Sequence, residues 1–251
     1  MNNEYQVMTE EEFLSQLEDH ATFSNIELRD TEIRENTSYN LVFQGCKFIR
    51  CRLNDNVWEN LSASSTTFIA CDFTDTNFED AAFERCRFFD AETSQGCRFL
   101  RTRLRSAYFK SCRLSSCLFE GADMFLSTIE DSEAVGANFF KAHFGGSVKM
   151  THNLLKYADL RGADFSKCDL SHNDFVWAVL DEVNFKKAIL IGSNFSGASL
   201  RFTTFAHADL RGAVLGSLDI RVTEVEGMKI FEHQMRGLLE QCGLIIFPDN
   251  H

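Results

Sequence analysis

Large apolar residues recur at every fifth position of this chain, and the spacing persists from Phe23 to Ile230. The centres run Phe43, Phe48, Leu53, then Phe68, Phe73, Phe78, Phe83, Phe88. They resume at Phe99, Leu104, Phe109, Leu114, Phe119, and continue unbroken from Leu160 to Leu215. Of 41 such positions 30 are Phe or Leu, and they absorb 18 of the 25 Phe residues, so nearly all the aromatic content serves one periodic feature. A period of five matches neither the 3.6 of an α-helix nor the 2 of a flat strand. A chain with this beat must turn once per pentad.

A second position is selected two residues before each centre. It holds Ala107, Ala122, Ala137, Ala158, Ala163, Ala178, Ala198, Ala208 and Ala213, or one of eight cysteines: Cys46, Cys51, Cys71, Cys86, Cys97, Cys112, Cys117 and Cys168. Cysteine alternating with alanine at one slot reads as a small buried hydrophobe rather than a disulfide or metal framework. Reduced thiols fit a cytoplasmic location. Gly45, Gly121, Gly136, Gly162, Gly192, Gly197, Gly212 and Gly227 all fall two residues after a centre, where a tight turn favours positive φ. Four turns close a square coil of 20 residues, and coils stack through parallel ladders about 4.8 Å apart. The pentads make about ten coils and a rod roughly 45–50 Å long. The fold expected is an all-β solenoid over 21–230, with capping regions at 1–20 and 231–251.

The register slips twice. Phe88 to Phe99 spans eleven residues, and the segment Phe89-Asp90-Ala91-Glu92-Thr93-Ser94-Gln95-Gly96 lacks good centres, which predicts an outward loop at about 89–96. Phe144 to Met150 spans six, which predicts a bulge at about 145–149. Loops on a regular rod are the first place to look for function, so Asp90, Glu92, Thr93, Ser94 and Gln95 are candidate contact residues. At the front, Thr9-Glu10-Glu11-Glu12 is a capping-box pattern that opens a helix with Phe13, Leu14 and Leu17 on one face. At the back, residues 231–239 read as a second helix followed by the apolar tail Leu244-Ile245-Ile246-Phe247.

The formal charge of −12 argues against a plain nucleic-acid binder and favours a basic partner surface. Acids favour the slot just before the centre: Asp159, Asp164, Asp169, Asp174, Asp209 and Asp219. Residues 20 apart share a face, so Asp169, Ile189 and Asp209 should stack, as should Asp164, Asn184, Thr204 and Glu224. These acids either keep the rod soluble or present spaced negative charge in a basic DNA channel. A basic band, Arg85, Arg87, Arg98, Arg101, Arg103 and Arg105, interrupts the pattern and would suit an acidic patch on a partner. The start of the chain is polar and acidic, and no apolar run approaches the roughly 20 residues of a membrane span.

Nothing points to catalysis. The chain has no phosphate loop, no Gly-x-Ser-x-Gly elbow, no His-Glu-x-x-His and no Cys-x-x-Cys. His152 and His172 should be neighbours one coil apart, but two imidazoles without a third ligand make a poor zinc site. No cofactor or metal is expected.

Units such as Ala158-Asp159-Leu160-Arg161-Gly162 and Ala208-Asp209-Leu210-Arg211-Gly212 resemble pentapeptide-repeat proteins, which implies a right-handed quadrilateral β-helix. Within that family, residues 82–119, the segment Gly136-Ala137-Asn138-Phe139, and residues 216–246 resemble the Qnr quinolone-resistance branch. That resemblance implies a homodimer that engages type II topoisomerases, DNA gyrase or topoisomerase IV, in place of DNA, and protects them against quinolones or related poisons. It places Asp90 to Gly96 in the first projecting loop, and Phe231, Met235, Leu238 and Leu239 with the tail residues Ile245, Ile246 and Phe247 in the dimer module. Two departures stand out. Only one residue is inserted where a second, longer loop should follow Phe144, and about 50 extra residues precede the resemblance. A structural or adaptor protein of the same fold, binding an unrelated partner, is the alternative reading.

Overall fold

The computed structural model describes residues 5–145, 148–216 and 218–247. The chain winds as a four-faced coil. The first face is a seven-stranded parallel sheet of Thr22–Ser24, Val42–Gln44, Ser62–Ser64, Ala82–Glu84, Tyr108–Lys110, Thr128–Glu130 and Lys149–Thr151. Single parallel bridges then extend it through Asp169, Ile189 and Asp209 to Lys229, giving eleven rungs. The second face is a four-stranded parallel sheet, Gln6–Val7, Ile26–Arg29, Lys47–Ile49 and Thr67–Ile69, continued by bridges through Arg87 to Val214. The third face runs from Glu32 to Ser199 and the fourth includes Thr37 to His143 and Asp164 to Glu224, each rung a single bridge.

The residue before the centre accounts for part of the difference between strands and single bridges, although Arg52, Val57, Arg87 and Ile189 also make single bridges. No strand of three or more residues has Asp or Asn there. Where Asp or Asn does occupy it, the side-chain oxygen accepts the N–H two residues on, as from Asp159 to Arg161, Asp164 to Ser166 and Asn138 to Phe140. This bond folds the outgoing backbone into a turn and ends the strand.

The centres form one continuous core. Phe48, Phe68 and Phe88 stack with ring centroids 5.0 Å apart at each step, and Phe99, Phe119 and Phe139 repeat the arrangement at 4.8 Å. The ring spacing equals the coil rise, so a flat ring at every rung leaves no gap to fill. The small slot is buried as expected, and its cysteines do more than fill space. Cys46 Sγ donates toward Phe23 O at 3.2 Å, and Cys112 Sγ toward Phe83 O at 3.2 Å, the carbonyls of centres on the preceding coil. Thr66, Thr76 and Asn153 make the same bond from the same slot. All nine cysteines are free.

The eight glycines placed at turns all have positive φ, between 61° and 73°. Glycine is not required there, however: Arg50 (φ 52°), Trp177 (59°) and many others adopt the same region. Each such residue costs on the order of 1–2 kcal/mol, so the ladder and core hold the corner against local preference. Gly197 is one place where glycine matters, because an added Cβ would lie 2.6 Å from the Trp177 ring on the coil before it.

Both ends are capped. Helix α1, Glu10–Gln16, starts with the expected capping box at Thr9 and Glu12. Phe13 is fully buried and stacks on Phe23 at 4.4 Å, and Leu17 is buried, but Leu14 points to solvent. The strand Gln6–Val7 before the helix, absent from the sequence reading, adds an edge to the second face. Helix α2, Glu232–Gln241, is fastened by Gln234. Its amide donates to Leu210 O and Ala213 O and accepts from the Gly212 and Phe231 N–H groups.

Candidate functional site

The projecting loop is larger than the one-residue slip suggested. Asp72 pairs with Arg98, Asn77 with Arg103 and Ala82 with Tyr108, so this coil is 26 residues long rather than 20. Six residues are extruded as an antiparallel hairpin of Phe89–Asp90 and Gln95–Gly96. Glu92, Thr93, Ser94 and Gln95 are exposed at its tip, whereas Asp90 is buried. Its carboxylate accepts from Thr93 Oγ1 at 2.7 Å and Glu92 N at 3.0 Å, and the Thr93 bond holds its pKa below the usual value. Asp90 therefore shapes the hairpin, and the four tip residues are left exposed. Gly96 closes it: a Cβ would lie 2.3 Å from the backbone of Ser116 and Cys117. Sequence reading missed its role, although a glycine at the foot of a loop was the available signal.

The second slip is a single inserted residue, since Thr128 pairs with Lys149 and Asn138 with Asp159, 21 apart. Of the expected bulge, 146–147 lie outside the described residues.

The two predicted acid columns are in register: Asp169, Ile189 and Asp209 on the first face, and Asp164, Asn184, Thr204 and Glu224 on the fourth. Asp174 lies on the second face and Asp159 on the third. The acids thus spread over four faces. Asp159 pairs with Arg161 at 2.6 Å, Asp209 with Arg211 at 2.7 Å, Asp219 with Arg221 at 2.7 Å and Asp174 with Lys156 at 3.2 Å. Arg211 holds the Asp209 carboxyl below its ordinary pKa, and Arg221 lowers that of Asp219 to about 2. The spacing that makes an acid a turn former also sets an arginine two residues on within reach of it.

Most of the basic band is spent within the chain. Arg98 reaches Asp72 at 3.3 Å, Arg101 binds Asp75 at 2.5 Å, and Arg105 reaches Asp123 at 3.3 Å. Arg98 and Arg101 thus tie the coil carrying the hairpin to the coil before it. Arg87 instead donates Nε to Phe89 O at 2.7 Å.

At the C-terminal end Phe231, Met235, Ile245 and Phe247 are exposed, while Leu239 and Ile246 are half-buried. Leu238 is buried in the rod's own core, so it anchors α2 rather than facing a second copy. His152 and His172 do stack, with centroids 4.8 Å apart. Among the described residues no three His, Cys, Asp or Glu side chains converge, and no helix is long and apolar enough to cross a membrane.

A family model described as pentapeptide repeats matches residues 154–186 and 178–216. Residues 154–216 thus carry recognisable pentapeptide repeats. It is 30% identical over 131 residues to the quinolone resistance pentapeptide repeat protein QnrB96 of Scandinavium goeteborgense and to the pentapeptide repeat protein QnrB4 of Escherichia coli. The match takes in 49% of this chain and spans 61% of the length of each relative. Full-length QnrB1, a plasmid-mediated fluoroquinolone resistance protein, superposes with a TM-score of 0.75 at 28% identity, over 89% of this chain and 100% of that one. A trypsin-treated QnrB1 structure gives 0.75 over 90% and 100%. That coverage leaves 10% of 251 residues, about 25, outside the match. The likeness of fold therefore reaches further toward the N-terminus than the expected excess of about 50 residues allowed.

Proposed function

We propose that this protein binds a type II topoisomerase, DNA gyrase or topoisomerase IV, and protects or modulates it in the presence of quinolones. The observation that carries the reading is the superposition on QnrB1 over that protein's whole length, together with a hairpin projecting from the rod where the Qnr-like sequence stretch lies. The protein acts by binding and not by catalysis. The hairpin tip, Glu92 to Gln95, is the contact element, and a second copy joins through the exposed apolar residues of α2 and the tail.

The distribution of charge refines the mode of binding. Asp159, Asp174, Asp209 and Asp219 are each paired with a base, leaving Asp164 and Asp169 as the ladder acids without an ion pair among the described residues. Four of these six acids are thus paired, which thins the free negative charge of the proposed columns. The net charge of −12 instead supplies a long-range field that steers the rod to a basic surface, and the hairpin supplies the specific contact. The same neutralised acids favour the adaptor reading as the alternative.

A gyrase supercoiling assay with and without ciprofloxacin tests the proposal. The protein should either restore supercoiling in the presence of drug or inhibit it in its absence. No inhibition, no protection and no binding to gyrase would leave the adaptor reading.

A further inference from the structure

The hairpin leaves the rod at the corner between the second and third faces, after the centre Phe88 and before the buried Cys97. Further along the same corner the stacked positions are Ser116, Gly136, Tyr157, Trp177 and Gly197. They are joined coil to coil by bonds from Ser116 N to Val135 O, Gly136 N to Lys156 O, Tyr157 N to Val176 O and Trp177 N to Ser196 O. Most corners of the rod hold Asp, Asn, Ser, Gly, His or a charged side chain, which water accommodates. Tyr157 and Trp177 depart from this pattern on consecutive coils, with φ of 58° and 59° and with 60% and 58% of their surface exposed.

A bulky side chain in the left-handed region is disfavoured, and an exposed indole or phenol ring adds little to the core. The Trp177 ring lies against Gly197, where an added Cβ would come within 2.6 Å of it, so the indole is fixed on the rod while more than half of it faces solvent. Leu154 is exposed beside the pair, and Val176 and Val179 are half-buried. The flanking charges are already matched within the chain. Lys156 pairs with Asp174 at 3.2 Å, Asp159 with Arg161 at 2.6 Å, Asp181 with Arg201 at 2.6 Å, and Glu133 reaches Arg113 at 4.0 Å. The result is a neutral apolar patch on a chain whose net charge is −12.

We propose that Tyr157 and Trp177 are a second contact element for the partner that the hairpin touches, and that they receive uncharged apolar side chains of that protein. The inference rests on the topoisomerase reading and adds to it that the enzyme presents an apolar patch to this edge of the rod. Tyr157 lies three coils beyond the hairpin and Trp177 four, about 14 and 19 Å at about 4.8 Å per coil. A protein interface of ordinary size covers about 800 Å² of each partner, a patch about 30 Å across. One partner surface therefore reaches the hairpin and both rings. Between them Ser116 and Gly136 keep the edge low, and nothing lies within 4 Å of a Cβ built on Gly136. Tyr and Trp are enriched among the residues that dominate binding energy, because they bury a large rigid area at a small cost in side-chain freedom. Exposed rings also stack on single-stranded nucleic acid, but that use needs free cations along the strand's path. Here Lys156 and Arg161 are held by Asp174 and Asp159.

The test is biolayer interferometry of the full chain against DNA gyrase holoenzyme, with the variants Y157N, W177N and L126N. Asparagine tolerates the left-handed region, so none of the three changes strains its corner. Leu126 is the control: it has positive φ, is 46% exposed, and sits between Asp123 of the fourth face and Thr128 of the first, at the diagonally opposite corner. Y157N and W177N should each bind gyrase at least tenfold more weakly than the parent, with unchanged melting temperature and unchanged mass by light scattering. L126N should bind as the parent does. Because the contact is apolar, the loss relative to the parent should be the same at low and high salt. The assignment is overturned if both aromatic variants bind as the parent does, if L126N loses as much, or if the loss disappears at high salt. A fall in the mass of W177N also overturns it, by giving the rings to self-association. If the parent itself binds no gyrase, the topoisomerase reading falls and this assignment with it, whereas a parent that binds beside two unaffected variants removes the aromatic contact alone.

Discussion

The glycine at the foot of the hairpin illustrates how little room the stacked coils leave. Gly96 packs against the next coil so closely that a methyl group would overlap the backbone at Ser116 and Cys117, which cannot rotate away as a side chain would. G96A should therefore lower stability by about 1–3 kcal/mol and displace the hairpin, as read from the denaturation midpoint and from loss of any hairpin-dependent binding. Asp219 gives a test of pH. Arg221 lowers its carboxyl pKa to about 2 from an ordinary 3.8. A depressed folded-state value means that the stabilisation is complete above the unfolded pKa and is lost as pH falls through the folded one. The Asp219–Arg221 contribution is accordingly intact above about pH 4 and gone below about pH 2. Carboxyl NMR should locate the Asp219 midpoint near 2 in the parent and closer to 3.8 in R221Q.

At the scale of elements, the two caps show what the sequence pattern conveys and what it does not. The N-terminal helix was legible because a capping box is local: Thr9 and Glu12 satisfy each other's backbone whatever lies beyond. That Leu14 would face solvent was not legible, since the helix is too short for a full apolar stripe and only Phe13 and Leu17 meet the first coil. The C-terminal cap depends on Gln234, whose partners Leu210, Gly212 and Ala213 lie more than 20 residues away. No local pattern announces it, because a glutamine in a polar helix turn looks like any surface residue. Its side chain satisfies two carbonyls and two N–H groups at the open end of the rod. Q234A should destabilise the protein by about 2–6 kcal/mol at roughly 0.5–1.5 kcal/mol for each of its four bonds, and it should raise hydrogen exchange at the Gly212 and Phe231 amides first. The candidate acids fell between these extremes. Their columns follow from the 20-residue coil and were read correctly. Their pairing depends on side-chain rotamers that a one-letter sequence does not show. The hairpin's length was underestimated because an extrusion of six residues leaves nearly the same beat as a slip of one.

Across the whole molecule, the ends decide assembly. A stack of parallel rungs presents open backbone groups at each terminus and invites further stacking. α1 closes one end with a buried Phe13 and a polar outer surface. α2 closes the other incompletely, leaving Phe231, Met235, Ile245 and Phe247 exposed together with Phe202 and Val222 of the last coils. This concentration of large apolar side chains at one end of the rod is what the proposed association through the C-terminal module rests on. In solution the protein should have twice the 28.6 kDa mass of the chain by light scattering. The double variant M235E/F247E should run at the single-chain mass with an unchanged melting temperature, because neither side chain contributes to the core. If the dimer also positions two hairpins on one topoisomerase, the monomeric variant should lose gyrase protection at least tenfold while keeping its fold. Persistence of the doubled mass in that variant would place the interface elsewhere on the rod, and a single-chain mass for the parent would remove the dimer from the proposed function while leaving the hairpin contact to be judged by the supercoiling assay.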